Sequence, residues 1–303
     1  DAVFSLTHLC GISHRIWCTL STICSDDGGT TASTTLTFTG LVGSETLGQT
    51  VGSTFDNKNV GSNKTVTVNS ITLADGSGLA ANYSISAGQT TTANITPKAL
   101  TVSGITASNR TYDGSTNVTL TGTAVYSGLV DGDIFDGTYT GAFSDKNVGT
   151  GKTVNITSSY SGADVNNYSV TDQSSTTANI TAKSLTVSGI TASDKTYDGS
   201  TSATLTGTAV YSGLVSGDIF TGSYTGAFSD KNVGTGKTVN ITPSYSGADV
   251  NNYSVTDQSS TTADISAKAL TATASASNKT YDGGTTASTT LTFTGLVGSE
   301  TLG

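Results

Sequence analysis

The sequence predicts an all-β chain built of tandem small β-sandwiches of immunoglobulin-like type, each of about 85 residues, arranged as a rod. Three observations predict it. Apolar residues alternate with Thr, Ser and Asn at period two, which is the pattern of a half-buried strand. Turn dipeptides such as Asp113-Gly114, Ser127-Gly128, Asp131-Gly132, Asp136-Gly137 and Ser161-Gly162 fall about every ten residues. The segments TYDG (from Thr111, Thr196 and Thr280), KNVG (from Lys58, Lys146 and Lys231) and NYS (from Asn82, Asn167 and Asn252) return at a near-constant interval.

Taken in order, residues 1–26 match nothing in the repeat. Where a strand and an NKTY-like turn are expected they read HLCGISHRIWCTLSTICSD, which suggests a frame break in a repetitive gene, a genuine neighbouring segment or introduced material. Residues 27–97 form a first repeat (type A) lacking its first strand. Residues 98–182 and 183–267 form the second and third (type B), which differ at eleven positions, among them Arg110 against Lys195 and Asn179 against Asp264. Residues 268–303 return to type A as a truncated fourth repeat, and 282–303 repeat 27–48 letter for letter. Such an ending suggests a sequence cut at a repeat.

Within the second repeat, Leu100 and Val102, Val118 and Leu120, Val154 and Ile156, Tyr168 and Val170, and Ala178 and Ile180 mark strands. No segment carries the 3.6-residue pattern of an amphipathic helix. Tyr112, Leu129, Ile134 and Phe143 join the strand residues as the candidate core, each large side chain stabilising by about 1.5–3 kcal/mol when fully buried. Pro97-Lys98 and Ala182-Lys183 are the only residues between last and first strands of successive repeats, so the interdomain angle is restricted and a semi-rigid rod follows.

Composition narrows the function. The net charge of −9 and pI near 4.4 disfavour nucleic acid and anionic lipid, both of which attract basic surfaces. No run of about 18 apolar residues is present to cross a membrane. His8 and His14 are the only histidines and lie outside the repeats, so no Ser-His-Asp or Cys-His arrangement can form in them, and the chain reads as a non-enzyme without cofactor. His8, Cys10, His14, Cys18 and Cys24 lack the paired spacings of a zinc site.

The TYDG turn with its threonine-rich strand, then DKNVGTGKTVNI, SGADVNNYSV and TTANITAKSLTV, resemble the YDG repeat of large bacterial haemagglutinin-like adhesins of the filamentous-haemagglutinin type. The resemblance runs from Asp27 to Gly303, and Asp26 stands where the first copy should have Tyr. It implies an extracellular or cell-surface, all-β stalk repeat.

The candidate residues divide accordingly. Tyr112, Asp113 and Gly114, with Tyr197, Asp198 and Gly199 and with Tyr281, Asp282 and Gly283, read as a structural turn motif in which a tyrosine pins an Asp-Gly turn. Asp131, Asp133 and Asp136 are weak calcium candidates, because the sister repeat keeps only Asp218 of the three. Lys98 and Asn179 read as exposed polar residues rather than an isopeptide pair, since the type-B repeats have no Glu to shuttle protons. Asn94, Asn117 and Asn155 match the glycosylation triplet as expected by chance in so Asn- and Thr-rich a chain. Three functions fit: a stalk extending a distal binding domain, a filament subunit self-associating through an exposed strand edge, or weak multivalent repeats binding glycan or protein. The partners expected are the adjacent repeats of the same chain.

Overall fold

The computed structural model describes residues 28–302 in full and the strands Ser5–Leu6 and Trp17–Ile23 as backbone. The candidates His8, Cys10, His14 and Cys24, and the side chain of Cys18, lie outside the described residues. Every regular element among the described residues is a strand or a single turn of 3-10 helix, in keeping with the Thr, Val, Ile and Tyr content of the patterned segments. The sheets curl into half-barrels. Contacts gather into two compact units: residues 1–107, 118–142 and 154–177 form one, and residues 108–117, 143–153 and 178–303 form the other.

The first unit contains the whole first repeat. Its sheet is an antiparallel meander in the order Ser5–Leu6, Trp17–Ile23, Thr31–Thr39, Leu47–Phe55, Gly61–Asp75, Thr90–Ile95. Trp17–Ile23 pairs with Thr31–Thr39 along seven residues, so the edge of that strand is occupied by backbone from ahead of the repeat. Ala32, Phe55 and Val66 form the buried core, with Ala93 and Ile95 against it. From the second repeat the same unit holds strand Lys98–Ser103 between Val125–Ser127, antiparallel, and Tyr168–Thr171, parallel. Leu100, Phe135 and Tyr168 form one buried cluster there and Val102, Ile105 and Ile156 another. Phe135 meets Tyr126, Tyr160 and Tyr168 at ring distances of 5.3, 5.1 and 5.7 Å.

The second unit contains the whole third repeat. Lys183–Ser188 lies between Val210–Ser212, antiparallel, and Tyr253–Thr256, parallel. A five-stranded sheet runs Lys195–Thr196, Ser260–Ser266, Gly234–Ser246, Thr221–Phe228, Ser202–Ala203, with its first pair parallel. The parallel pairs depart from the antiparallel sheets of an immunoglobulin sandwich. Phe228, Val239, Ala263 and Ile265 fill one core cluster and Val187, Ile190 and Ile241 the other. Beyond the repeat, Thr271–Ala276 and Thr289–Thr294 pair as a hairpin in which no described residue is buried.

Candidate functional site: a recurring joint between repeats

The TYDG turn is built locally. The Asp113 carboxylate accepts the Ser115 N–H at 2.8 Å, closing an Asx turn, and Arg110 pairs with it at 2.7 Å while lying over the Phe143 ring. Lys195 and Asp198, and Lys279 and Asp282, repeat the arrangement at 2.8 Å each. The Ser115 N–H holds the Asp113 carboxyl below the usual range, and Lys195 holds that of Asp198 at about 2. Gly114 and Gly199 sit at φ of 82° and 78°, which side-chain-bearing residues rarely adopt.

The KNVG loop is built the same way. Asp145 accepts the Asn147 N–H at 2.8 Å and pairs with Lys152 at 2.7 Å, so that Lys146 projects from the loop. Asn179 caps the neighbouring bulge by accepting the Gly151 N–H at 2.7 Å, and Asp264 does so for Gly236 at the same distance. That shared Oδ1 acceptor explains why Asn and Asp interchange here.

What the two segments present is a set of side chains that meet the following repeat. In the second unit, Lys146 reaches Asp218 at 3.0 Å and Asp249 at 2.7 Å. The Tyr112 hydroxyl donates to Asp218 at 2.8 Å, and Tyr253, of the same repeat as Asp218, donates to it at 2.6 Å. The two tyrosine rings meet edge to face at 5.6 Å, with Lys146 above the Tyr112 ring. Asn252 accepts the Val148 N–H at 2.9 Å and donates to Asn147 at 3.2 Å. A Cβ on Gly114 would stand 2.9 Å from Val215 Cγ1, so the turn touches the next repeat there.

The first unit contains the same joint between the first and second repeats. Lys58 reaches Asp133 at 2.5 Å and Asp164 at 2.9 Å. Asn167 accepts the Val60 N–H at 3.0 Å, Tyr168 donates to Asp133 at 2.6 Å, and Gly28 approaches Val130. Its cleft, lined by Lys58, Val130, Asp133 and Tyr168, measures ≈ 10 Å³, room for about one water. No organic ligand fits it. A third copy joins the third repeat to the hairpin: Tyr197 bonds Glu300, Lys231 lies 3.6 Å from it, and Gly199 approaches Val297.

Electrostatics follow the geometry. Hydrogen bonds to Asp133 and Asp164 push the Lys58 ammonium pKa upward, and those to Asp249 and Asp218 do the same for Lys146. Lys58 lowers Asp164 and Lys146 lowers Asp249. Burial works to raise Asp218, but donation from Tyr253, Tyr112 and Lys146 carries it below the ordinary carboxylate range. Burial, followed by the bond to Asp218, raises Tyr112, and the same causes push Tyr253 up to about 12.

The predicted calcium residues are not brought together: Asp131 and Asp136 are exposed, while the Asp133 side chain is 6 % exposed and engaged by Lys58 and Tyr168. Among the described residues no group of three His, Cys, Asp or Glu is arranged to hold a metal ion. Tyr112 is 1 % exposed and Tyr197 partly buried, whereas Tyr281 in the hairpin is 94 % exposed. A second hollow, ≈ 450 Å³, opens in the third repeat beside Leu205, Tyr211 and Tyr224, and no charged residue lines it.

Sequence reasoning found Tyr112 but missed Lys58, Lys146, Asp164 and Asp249. The available signal was the retention of Asp133 as Asp218 while Asp131 and Asp136 change to Ser216 and Thr221. Comparison with protein families matches the YDG domain at residues 27–93, 96–178 and 181–263. No curated protein and no solved structure matches the chain.

Proposed function

The chain belongs to the YDG-domain family, and from that premise we propose that its repeats are stalk and display elements of a bacterial extracellular adhesin, extending a distal binding domain from the cell surface. The observation that carries this reading is the recurrence of one joint, in which the Lys of a KNVG loop reaches the acid three residues beyond a Val of the following repeat. Each repeat offers donors at one end and acceptors at the other. The joints draw on the same two segments of each repeat, the turn glycine and the KNVG lysine, and a contact that recurs from one repeat to the next suits units joined end to end better than a cluster.

Fixing the joints is useful for projection and adds nothing to chemistry. At the joint between the first and second repeats the cleft is filled by the protein's own side chains and holds about one water. Small-angle scattering on the monomeric chain tests the reading. A rod of three repeats and a hairpin, on the order of 100–140 Å long, has a radius of gyration of roughly 30–40 Å, against about 19 Å for a compact protein of this length. A value near the compact one would sink the stalk, because repeats packed side by side project nothing.

A further inference from the structure

The hollow of ≈ 450 Å³ in the third repeat has no part in the joint, and its walls are ordered by polarity. Ile190 is buried, and Leu205 and Ala209 are half-buried, so these three give it an apolar floor. Thr206, Thr208 and Ser223 are exposed and set hydroxyls around its rim. Between floor and rim stand the half-buried Tyr211 and Tyr224. Its volume lies inside the range of about 300–1,000 Å³ that small-molecule sites occupy.

The tyrosines are held in a fixed arrangement. Tyr224 donates to the Tyr211 hydroxyl at 3.2 Å and the Gly222 N–H donates to the same oxygen at 3.1 Å. Having accepted twice, the Tyr211 oxygen keeps its own proton for a further acceptor. A Cβ on Gly222 would stand 2.6 Å from Tyr211 Oη, so glycine is what lets both hydroxyls sit there. The second repeat is built alike: Tyr139 donates to Tyr126 at 3.1 Å, and a Cβ on Gly137 would stand 2.5 Å from Tyr126 Oη. Of the residues lining the hollow, only Ser223 has a different counterpart in the second repeat, and that is Thr138, which keeps the hydroxyl.

These walls select a ligand by chemistry. No charged residue lines the hollow, and burial pushes the Tyr224 phenol up to about 12, so it is neutral near pH 7. A charged ligand would give up hydration there with no counter-charge to replace it. An extended peptide would need free backbone groups along a strand edge. The strand Thr221–Phe228 borders the hollow, but on its outer side Ser202–Ala203 pairs with Ala227 and Gly226, and the Gly222 N–H is taken by Tyr211. What is left is an apolar floor for a C–H face, a hydroxyl rim and one phenolic donor. We propose that the Tyr211–Tyr224 hollow of the third repeat, with its Tyr126–Tyr139 counterpart in the second, is a binding site for a neutral hexopyranose unit of a glycan. The site does not depend on the stalk: scattering tests the rod, and titration with sugar tests the hollow.

Backbone amide NMR shifts of the full chain, titrated to about 10 mM with maltohexaose, cellohexaose or mannohexaose, provide the test. At least one of the three is expected to move the amides of Gly207 and Gly222. Tyr126→Phe with Tyr211→Phe removes the donor in both repeats and should weaken binding about fivefold or more, the share of one hydrogen bond, with the circular dichroism spectrum unchanged. Thr123→Trp with Thr208→Trp, at exposed rim positions, should cover both hollows and abolish binding without altering the thermal melt. Hexagalacturonate, of similar length but charged, should not bind. The proposal is overturned if none of the three neutral oligosaccharides moves those amides, whether or not an acetylated Thr-Val hexapeptide does. Binding undiminished in either pair of variants overturns it as well, as does hexagalacturonate binding as tightly as the neutral sugars.

Discussion

Tyr112→Phe isolates what one repeat contributes to the next. The change removes a single oxygen, donating to Asp218 at 2.8 Å, and leaves the ring against Tyr253 at 5.6 Å. Asp218 keeps Tyr253 and Lys146, so no charge is stranded. A hydrogen bond to an ionised group contributes about 1.5–3 kcal/mol. With the Asp218 side chain only 3 % exposed, water has little access to replace the lost donor, and a cost of about 2 kcal/mol is expected. In urea, with a slope of roughly 1–3 kcal/mol/M, the transition involving the third repeat should fall by about 1 M. Tyr281→Phe, at a 94 % exposed position of the same motif, should change stability by less than about 0.5 kcal/mol. The decisive measurement is the cycle with Asp218→Asn. If Tyr112→Phe costs the same in both backgrounds, to within about 0.5 kcal/mol, the tyrosine does not act through the acid of the next repeat and the joint has been misread.

Gly114→Ala and Gly132→Ala both force a side chain to φ above 80°, at about 1–2 kcal/mol, but only at Gly114 would the new Cβ meet a neighbour, Val215, so its melting temperature should fall further by an amount equivalent to about 1 kcal/mol. Stability against pH should be flat between about 5 and 10. Because Asp164, Asp218 and Asp249 titrate below their ordinary values when folded, their contribution is complete above the unfolded carboxylate pKa and is lost as pH falls through the lowered ones; urea midpoints that do not drop between pH 4 and 2 would count against the pairs. Lys58, Lys146 and Tyr253 are raised, so the opposite limb begins only as pH climbs past 10, through the folded values. Chelation should leave the melting temperature unchanged, since Asp133 is held by Lys58 and Tyr168 rather than by Asp131 and Asp136; a fall of several degrees would restore the calcium reading.

The strand pattern was legible because period two is a direct image of the pleat. Leu100, Val102, Val154, Ile156, Tyr168 and Ile180, all assigned to the core from alternation, are buried. Ile134 was assigned with them and is 57 % exposed, while its neighbour Phe135 is buried among Tyr126, Tyr160 and Tyr168. The cause is backbone parity. Ile134 uses both its N–H and its carbonyl to bind Asp164, which turns Phe135 inward, and no local pattern announces a bond 30 residues away. Strand Val118–Leu120 shrinks to Leu120–Thr121 for want of a continuous partner. The parallel pairings of Tyr168–Thr171 and of Arg110–Thr111 lie beyond any single-segment signal. The joint was harder still, because Tyr112 and Asp218 are 106 positions apart and each has an adequate local explanation, one as a turn tyrosine and the other as a loop acid.

The joint also gives a physical reason for which letters the repeats keep. Asp131 and Asp136 become Ser216 and Thr221 between the two type-B repeats, and neither position touches a neighbouring lysine; Asp133 and Asp218, between them, carry Lys58 and Lys146. Val118 and Ala203 exchange within a repeat, whereas Gly114 and Gly199, which face a Val of the following unit, do not. A type-A repeat substitutes Glu for the acid and Leu79 for the second one, and at Glu300 a type-A stretch still receives a type-B tyrosine and lysine. The donor end is therefore compatible with both acceptor types. An array with that property can gain or lose whole repeats by duplication without meeting a mismatched boundary, which is the condition a chain of variable length has to satisfy.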